Sequence, residues 1–520
     1  MEQFDVIKLN LQLFIRFLAK YSRIIRRCLT GPDFHLPGEA KFLIEIGIFQ
    51  VHERRKCGIM FLKWRYDAMY KPPFEVVFTN ERLITPSGLG IVGGMLGKSD
   101  FVRQCNRIPV EKKRSEPQIK DGDILLTYIG LLCQGKTDYE AVNEMRDDPD
   151  YYISALGLTR SIPSAETLRQ RMDDIGSSIR RNVLSANVSM FRTHHVEPTP
   201  LKTGEVPVDM DVTPLDNSKT HKEGVSRTYK GFDGLTSMMA YCGTEGFLAN
   251  TELREGKQHC QKGTPAFLKE TLRLCHQMTN CPLLIRMDSG NDAKENLGIL
   301  LEDGDWFIVK RNPRKAESKE DWLEQVKECC ENIQTPRDGK TVYIGSSWKD
   351  VEYVTDSGER KTICLRIVYE VIERTIDKYG QILLAPEIEL NTWWTNLNWT
   401  DADVIASYHA HGESEQFHSE IKTDMDVERL PSGKFATNEL VLELTIIAYN
   451  LLRMIGQESL KHKSPVKRKV ARRRIRTVIH NLIFCASHIV QHARKTVMGL
   501  GRSNTWRGVF VCVWRRFAFA

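Results

Sequence analysis

The chain has 520 residues, a mass of 59.8 kDa and 41% hydrophobic residues, enough for two or three domains with real cores, which excludes a disordered or fibrous class. Thirteen cysteines are scattered without a Cys-x-x-Cys pair and read as reduced thiols of an intracellular protein, and no run of about 18 apolar residues offers a membrane span. A formal net charge of +7 with a pI near 8.6 favours a polyanionic partner only weakly, and its distribution says more than its total.

Residues 1–72 form an apolar and basic segment without an assignable role. Glu2 and Asp5 precede the apolar stretch Leu11–Leu18 and a basic cluster follows it, the wrong charge order for a secretory signal. The segment is either native or an upstream extension of a chain that starts at Met69. Gly88-Leu-Gly90-Ile-Val-Gly93 spells Gly-x-Gly-x-x-Gly, but no buried strand precedes it and no acidic residue closes a nucleotide unit, so a turn entering a helix is expected. Residues 73–200 read as helices: Ile124–Cys133, a second opened by a capping box at Thr137-Asp-Tyr-Glu140, and a third capped by Ser164. Helices joined this tightly make either a helix-turn-helix, with Thr167, Arg169, Gln170 and Arg171 facing DNA, or a small bundle with a solvated face.

From 201 to 312 the pattern changes to strands at Val206–Val212, Ser237–Cys242, Phe247–Leu253, Leu283–Met287 and Trp306–Lys310, with helices at Pro265–Met278 and Ala293–Leu301. Three strands in meander, then helix, strand, helix, strand, is the order of an RNase H-like α/β core, in which the first and fourth strands are neighbours. Alternation along the first puts Val206, Val208, Met210 and Val212 on a core face and Asp209, Asp211 and Thr213 on an acidic one. Asp288 ends the fourth strand, where open α/β sheets place ligands. Asp292 is expected to cap the next helix.

Residues 313–400 are β-rich and are expected as an inserted domain, with Trp393, Trp394 and Trp399 at its end. These tryptophans either stack on an extruded base or belong to the core. Residues 401–460 contain a helix on which His411, Glu415 and Lys422 follow Tyr408 at offsets of 3, 7 and 14; at roughly 100° per residue the four share one face. An apolar helix, Leu440–Met454, is expected behind it. In 461–520, Lys467-Arg468-Lys469 and Arg472-Arg473-Arg474-Ile-Arg476 make a dense basic run expected to contact phosphates. The aromatic, basic tail from Arg502 has no evident role.

Asp211, Asp288 and Glu415, on an acidic strand face, a strand end and a helix face, make a candidate metal centre for Mg²⁺, with Mn²⁺ as a substitute, because such ions prefer oxygen ligands and relieve carboxylate repulsion. The chain resembles the DDE-type transposases of bacterial insertion sequences in the branch marked by Tyr-x2-Arg-x3-Glu-x6-Lys, through Asp211-Val212-Thr213, Arg286-Met287-Asp288-Ser289-Gly290 and Tyr408 to Lys422. The wording around these motifs is similar to the insertion sequence 1380 group. His411 stands where that branch has arginine.

The resemblance implies an RNase H-like catalytic core with a β-rich insertion before the last catalytic helix, an α-helical N-terminal DNA-binding domain, and catalysis by Asp211, Asp288 and Glu415. It further implies phosphate contacts from Tyr408, His411 and Lys422, joined by Arg472, Arg473 and Arg474. Asp209 falls behind the metal ligands. The partner is double-stranded DNA, the element's inverted ends and its target, held by a homo-oligomer, a dimer in the DNA complex, in the bacterial cytoplasm at the nucleoid. Its reaction is end cleavage, through a hairpin intermediate, and joining of 3' ends. The alternatives are an RNase H-like nuclease without strand transfer and a catalytically inactive DNA-binding descendant.

Overall fold

A computed structural model describes residues 76–106, 117–313, 317–466, 470–493 and 495–518. The chain divides between Asn80 and Glu81, and every element below belongs to the second unit. The expected 1–72 segment and Lys467-Arg468-Lys469 lie outside the described residues.

After the short strand β1 (Leu83–Ile84), α1 (Leu89–Gly97) carries the glycine run. A Cβ on Gly88 would meet Leu482 O at 2.0 Å and one on Gly93 would meet Ala155 O at 1.8 Å, so these glycines let the helix backbone press on its neighbours rather than cradle a phosphate. α2 (Phe101–Cys105), α3 (Asp121–Leu132), α4 (Val142–Asp147), α5 (Pro149–Leu156), α6 (Ala165–Ile175) and α7 (Arg180–Thr193) follow. Ser164 caps α6, accepting from Thr167 N at 3.2 Å. The expected cap at Thr137 is corrected: Asp138 accepts from Glu140 N, while the Thr137 hydroxyl donates to Asp426 O at 2.9 Å. Of the residues expected to face DNA, Arg171 pairs with buried Asp121, and Arg169 and Gln170 both bond Glu166.

The core is a mixed α/β fold on a large mixed sheet. β2 (Val206–Asp216), β3 (Ser226–Arg227), β4 (Asp233–Cys242) and β5 (Phe247–Glu255) are followed by α8 (Thr264–Met278), β6 (Leu283–Met287), α9 (Lys294–Asp303) and β7 (Trp306–Lys310). Leaving aside the short β3, the strands run in the order β5-β4-β2-β6-β7. β2, β6 and β7 are parallel and β4 antiparallel to β2, so the expected adjacency of the first and fourth strands is present. Both faces of β2 are covered, and the expected acidic face is different in kind: Asp209 is buried, directly opposite Arg286 in the β2–β6 register.

The β-rich stretch continues the same sheet. After α10 (Lys319–Cys329) come β8 (Asn332–Arg337), β9 (Lys340–Val354), β10 (Arg360–Ile376) and β11 (Ile382–Thr395). β11 pairs with β7 at Trp393↔Lys310, Trp394↔Val309 and Thr395↔Ile308, giving one ten-stranded sheet. Trp393 is fully buried and Trp394 is 7% exposed, so these two rings are core and unavailable to a base. Asp292 is no helix cap: it accepts from Trp394 Nε1 at 3.0 Å and Asn312 N at 2.9 Å, tying the two ends of this junction.

α11 (Asp401–Ala410) passes through a tight 3₁₀ turn (His411–Glu413) into α12 (Ser414–Ser419) and then a wide π turn (Glu420–Asp424). α13 (Phe435–Leu460) packs against β5 and α7; Asn450 satisfies both backbone groups of Leu248, accepting from its N at 2.9 Å and donating to its O at 2.8 Å. After α14 (Ile475–Val478), β12 (Ser487–His492) and β13 (Lys495–Leu500) form a small sheet with β1. The aromatic tail is α15 (Arg507–Phe517), which buries Val509, Phe510, Val513 and Phe517 and lays Trp514 beside Gly90 of α1.

Candidate active site

Parallel pairing of Met210 with Met287 makes Asp211 and Asp288 the next residues along two adjacent strands. Asp211 Oδ1 accepts from Val212 N at 2.7 Å, and Oδ2 faces His418 Nε2 at 3.3 Å. Asp288 Oδ1 accepts from Asn291 Nδ2 at 2.6 Å. Burial first, and then the charge of Asp211, push the Asp288 carboxyl above the usual carboxylate range, with His411 pulling the other way. Glu415 projects from α12 and is exposed. Neither Asp288 nor Glu415 forms an ion pair among the described residues.

Two tyrosines report the shared field of this cluster. Tyr229 donates its hydroxyl to Val212 O at 3.1 Å. Desolvation of that hydroxyl, then the charges of Asp211, Asp288 and Glu415, push it up to about 12. Tyr408 is half-buried, its ring 5.5 Å from Trp393 and 5.8 Å from His411, and burial followed by Asp288 and Asp211 raises it. Oxygen-only ligands with unbalanced negative charge fit a hard divalent cation. The arrangement is open: the oxygens of Asp211, Asp288 and Glu415 do not all come within 4.8 Å of one another.

His411 has contacts other than the expected phosphate. It is 7% exposed, and its Nδ1 lies 2.9 Å from Asp209 Oδ1. Asp209 is also held by Arg286 at 2.6 and 2.7 Å, and Arg286 donates to Ser407 O at 2.7 Å. Burial lowers the tendency of His411 to charge, but the Asp209 contact outweighs it and the imidazole is raised. The ring is a strut between the 3₁₀ turn and β2, and Asp209 holds that strut from two residues before Asp211.

The helix is not uniform from Tyr408 to Lys422, so a constant ~100° per residue does not carry through its tight and wide turns. Lys422 donates to Pro214 O at 2.7 Å and pairs with Glu428 at 3.1 Å, fastening the π turn to the end of β2. In the described part of the basic run Arg472 and Arg473 are turned inward, while Arg474 and Arg476 pair with Asp424 and stay half-exposed. Arg472 pairs with Glu420, bonds Gln416 at 2.8 Å and lies 4.6 Å over the Phe417 ring. Arg473 is 4% exposed, bonded to Ser459 Oγ at 2.9 Å and stacked on Trp506. Arg474 chelates Asp424 at 2.8 and 3.0 Å. Fully buried Arg453 completes the clasp on Glu420 and Tyr449 and donates to Arg473 O at 2.7 Å.

Sequence reasoning missed His418. It lies one helical turn after Glu415, a spacing that could have identified it; the other face of its ring meets Tyr241 OH at 2.9 Å through Nδ1. It links the Glu415 helix to Asp211 and, through β4, to the sheet.

The sequence profile of a family described as transposase DDE domain group 1 matches residues 69–518. None of the curated proteins compared matches the chain. Among solved structures, the cryo-EM structure of the piggyBac transposase synaptic complex with hairpin DNA is similar at 11% identity and a TM-score of 0.38, covering 77% of this chain and 80% of that one.

Proposed function

This chain belongs to the transposase DDE domain group 1 family, and on that premise we propose that it is a DNA transposase which binds the inverted ends of its own element, cuts them and joins the 3' ends to target DNA. The observation that carries the reading is the placement of Asp211 and Asp288 at the same level of two parallel strands, with the Glu415 helix beside them. Family membership implies a polynucleotidyl transferase; the RNase H-like core, the 1380-type branch and a dimer on DNA are the finer parts of the proposal.

Asp211, Asp288 and Glu415 would hold Mg²⁺ or Mn²⁺. A divalent ion bound there supplies a Lewis acid at the phosphoryl oxygens and makes water or a 3' hydroxyl a better nucleophile. The chain's own residues set up that site. Val212 N and His418 meet the two oxygens of Asp211, Asn291 meets one of Asp288, and Arg453 and Arg472 hold Glu420 in the turn that follows the helix bearing Glu415. Half-buried Tyr408 feels the charges of Asp288 and Asp211 and stays protonated at neutral pH, available to donate to a phosphate oxygen, whereas the Tyr229 hydroxyl is already donated to Val212 O.

The test is a cleavage and joining assay with purified protein, Mg²⁺ and DNA carrying the ends of the element that encodes it. Nicks at the end boundaries and joined products support a transposase. Nicks without joining favour the nuclease, and binding without nicks the inactive descendant.

A further inference from the structure

A second group of ligand-type side chains lies by the amino ends of β6 and β7. His276 is in the last turn of α8, Asp303 closes α9, and Asp305 immediately precedes β7. Between the two aspartates Gly304 takes a φ of 86°, the left-handed conformation that reverses the chain tightly enough to bring both carboxylates to one place. His276 Nε2 lies 2.8 Å from Asp305 Oδ2 and 3.1 Å from Asp303 Oδ2, and one ligand atom from each of the three residues lies within 4.8 Å of the others.

The second observation is the state of Asp305. It is 7% exposed, and its Oδ1 accepts from Leu283 N at 3.2 Å. Its Oδ2 is buried and, although the His276 ring nitrogen stands 2.8 Å away, accepts no hydrogen bond from it, the ring being aligned on Asp303. A buried carboxylate oxygen facing a second carboxylate is costly unless a cation or a shared proton meets it.

We propose that His276, Asp303 and Asp305 bind one divalent first-row transition ion of the Zn²⁺ type, clamping the end of α8 to the turn that starts β7. The imidazole favours such borderline ions over Mg²⁺ and Ca²⁺, and the exposed side of the group admits water as a further ligand. Asp305 precedes β7 whereas Asp288 follows β6, so the length of a five-residue strand, about 16 Å, separates this site from the catalytic cluster. It does not depend on the transposase reading.

The experiment uses the full chain carrying Asp288→Asn, which weakens the other site, dialysed against ZnCl2 and, separately, CoCl2. Adding His276→Gln is expected to remove one bound Zn²⁺ per chain, the Co²⁺ visible absorption and the Zn²⁺-dependent rise in Tm. Asp303→Asn is expected to do the same. The side chains of His276 and Asp303 are 43% and 33% exposed, so both variants should fold, which circular dichroism checks. Unchanged Zn²⁺ content and Co²⁺ spectrum in the folded His276→Gln protein would overturn the proposal.

Discussion

His418 Nε2 stands 3.3 Å from Asp211 Oδ2 while its Nδ1 meets Tyr241 OH at 2.9 Å, so one buried imidazole couples the helix of Glu415 to the carboxylate on β2. Partners that orient a metal ligand typically change metal affinity by about 10–100-fold when removed. His418→Ala should therefore raise the Mg²⁺ concentration needed for half-maximal cleavage by about that factor, and His418→Gln, which keeps a donor, by less. DNA affinity should not change. A Mg²⁺ titration of end nicking distinguishes this from simple unfolding, since saturating Mg²⁺ should restore most of the rate.

The Asp209–Arg286 pair is buried on both sides. Removing one partner of such a pair leaves an uncompensated charge and costs about 3–5 kcal/mol. Arg286→Met is expected to lower stability by roughly that amount, and the combined Asp209→Leu, Arg286→Met protein by less. Denaturant unfolding of the three proteins checks the order.

Glu443 on α13 is 1% exposed, neither of its oxygens accepts a hydrogen bond, and Arg180 approaches only to 3.6 Å. Burial pushes its carboxyl up to about 8, against the partial relief of Arg180. A raised carboxyl binds its proton more tightly folded than unfolded, so its contribution is present below the unfolded value near 4.5 and lost as pH rises to about 8. Glu443→Gln should flatten the fall of Tm between pH 5 and pH 8 and be more stable than the parent at pH 8. An identical pH dependence in the two proteins would count against this.

Because Arg473 is buried against Ser459 and Trp506, Arg473→Met should lower Tm without changing how DNA affinity depends on salt. A phosphate contact would instead reduce the slope of log affinity against log salt by about 1.

The five core strands and both helices between them were legible because each has a clean apolar period and a turn at its ends, and the placement of Asp211 beside Asp288 was expected from matching that element order to an RNase H-like core, in which the first and fourth strands are neighbours. What pairs with what across strands was not legible. Asp209 looked like part of an acidic face until the register set it opposite Arg286, and the β-rich stretch looked like a separate domain until β11 paired with β7. Charge density at Arg472 and Arg474 gave no sign of their protein partners, since local sequence cannot show that Glu420 and Asp424 face them from some 50 residues away. His411 and His418 differ in role for the same reason: the residue each meets, Asp209 or Asp211, belongs to another element.

The most direct test of the central claim compares Asp211→Asn, Asp288→Asn and Glu415→Gln with the parent, measuring end binding by gel shift and end cleavage in Mg²⁺ on the same DNA fragment. Protein–DNA affinity in general rests on basic contacts to phosphates rather than on carboxylates, so each variant is expected to bind the fragment nearly as the parent does and lose cleavage. Glu415, exposed on α12, makes the sharpest case. Cleavage by folded Glu415→Gln at the parental rate would contradict the three-carboxylate centre.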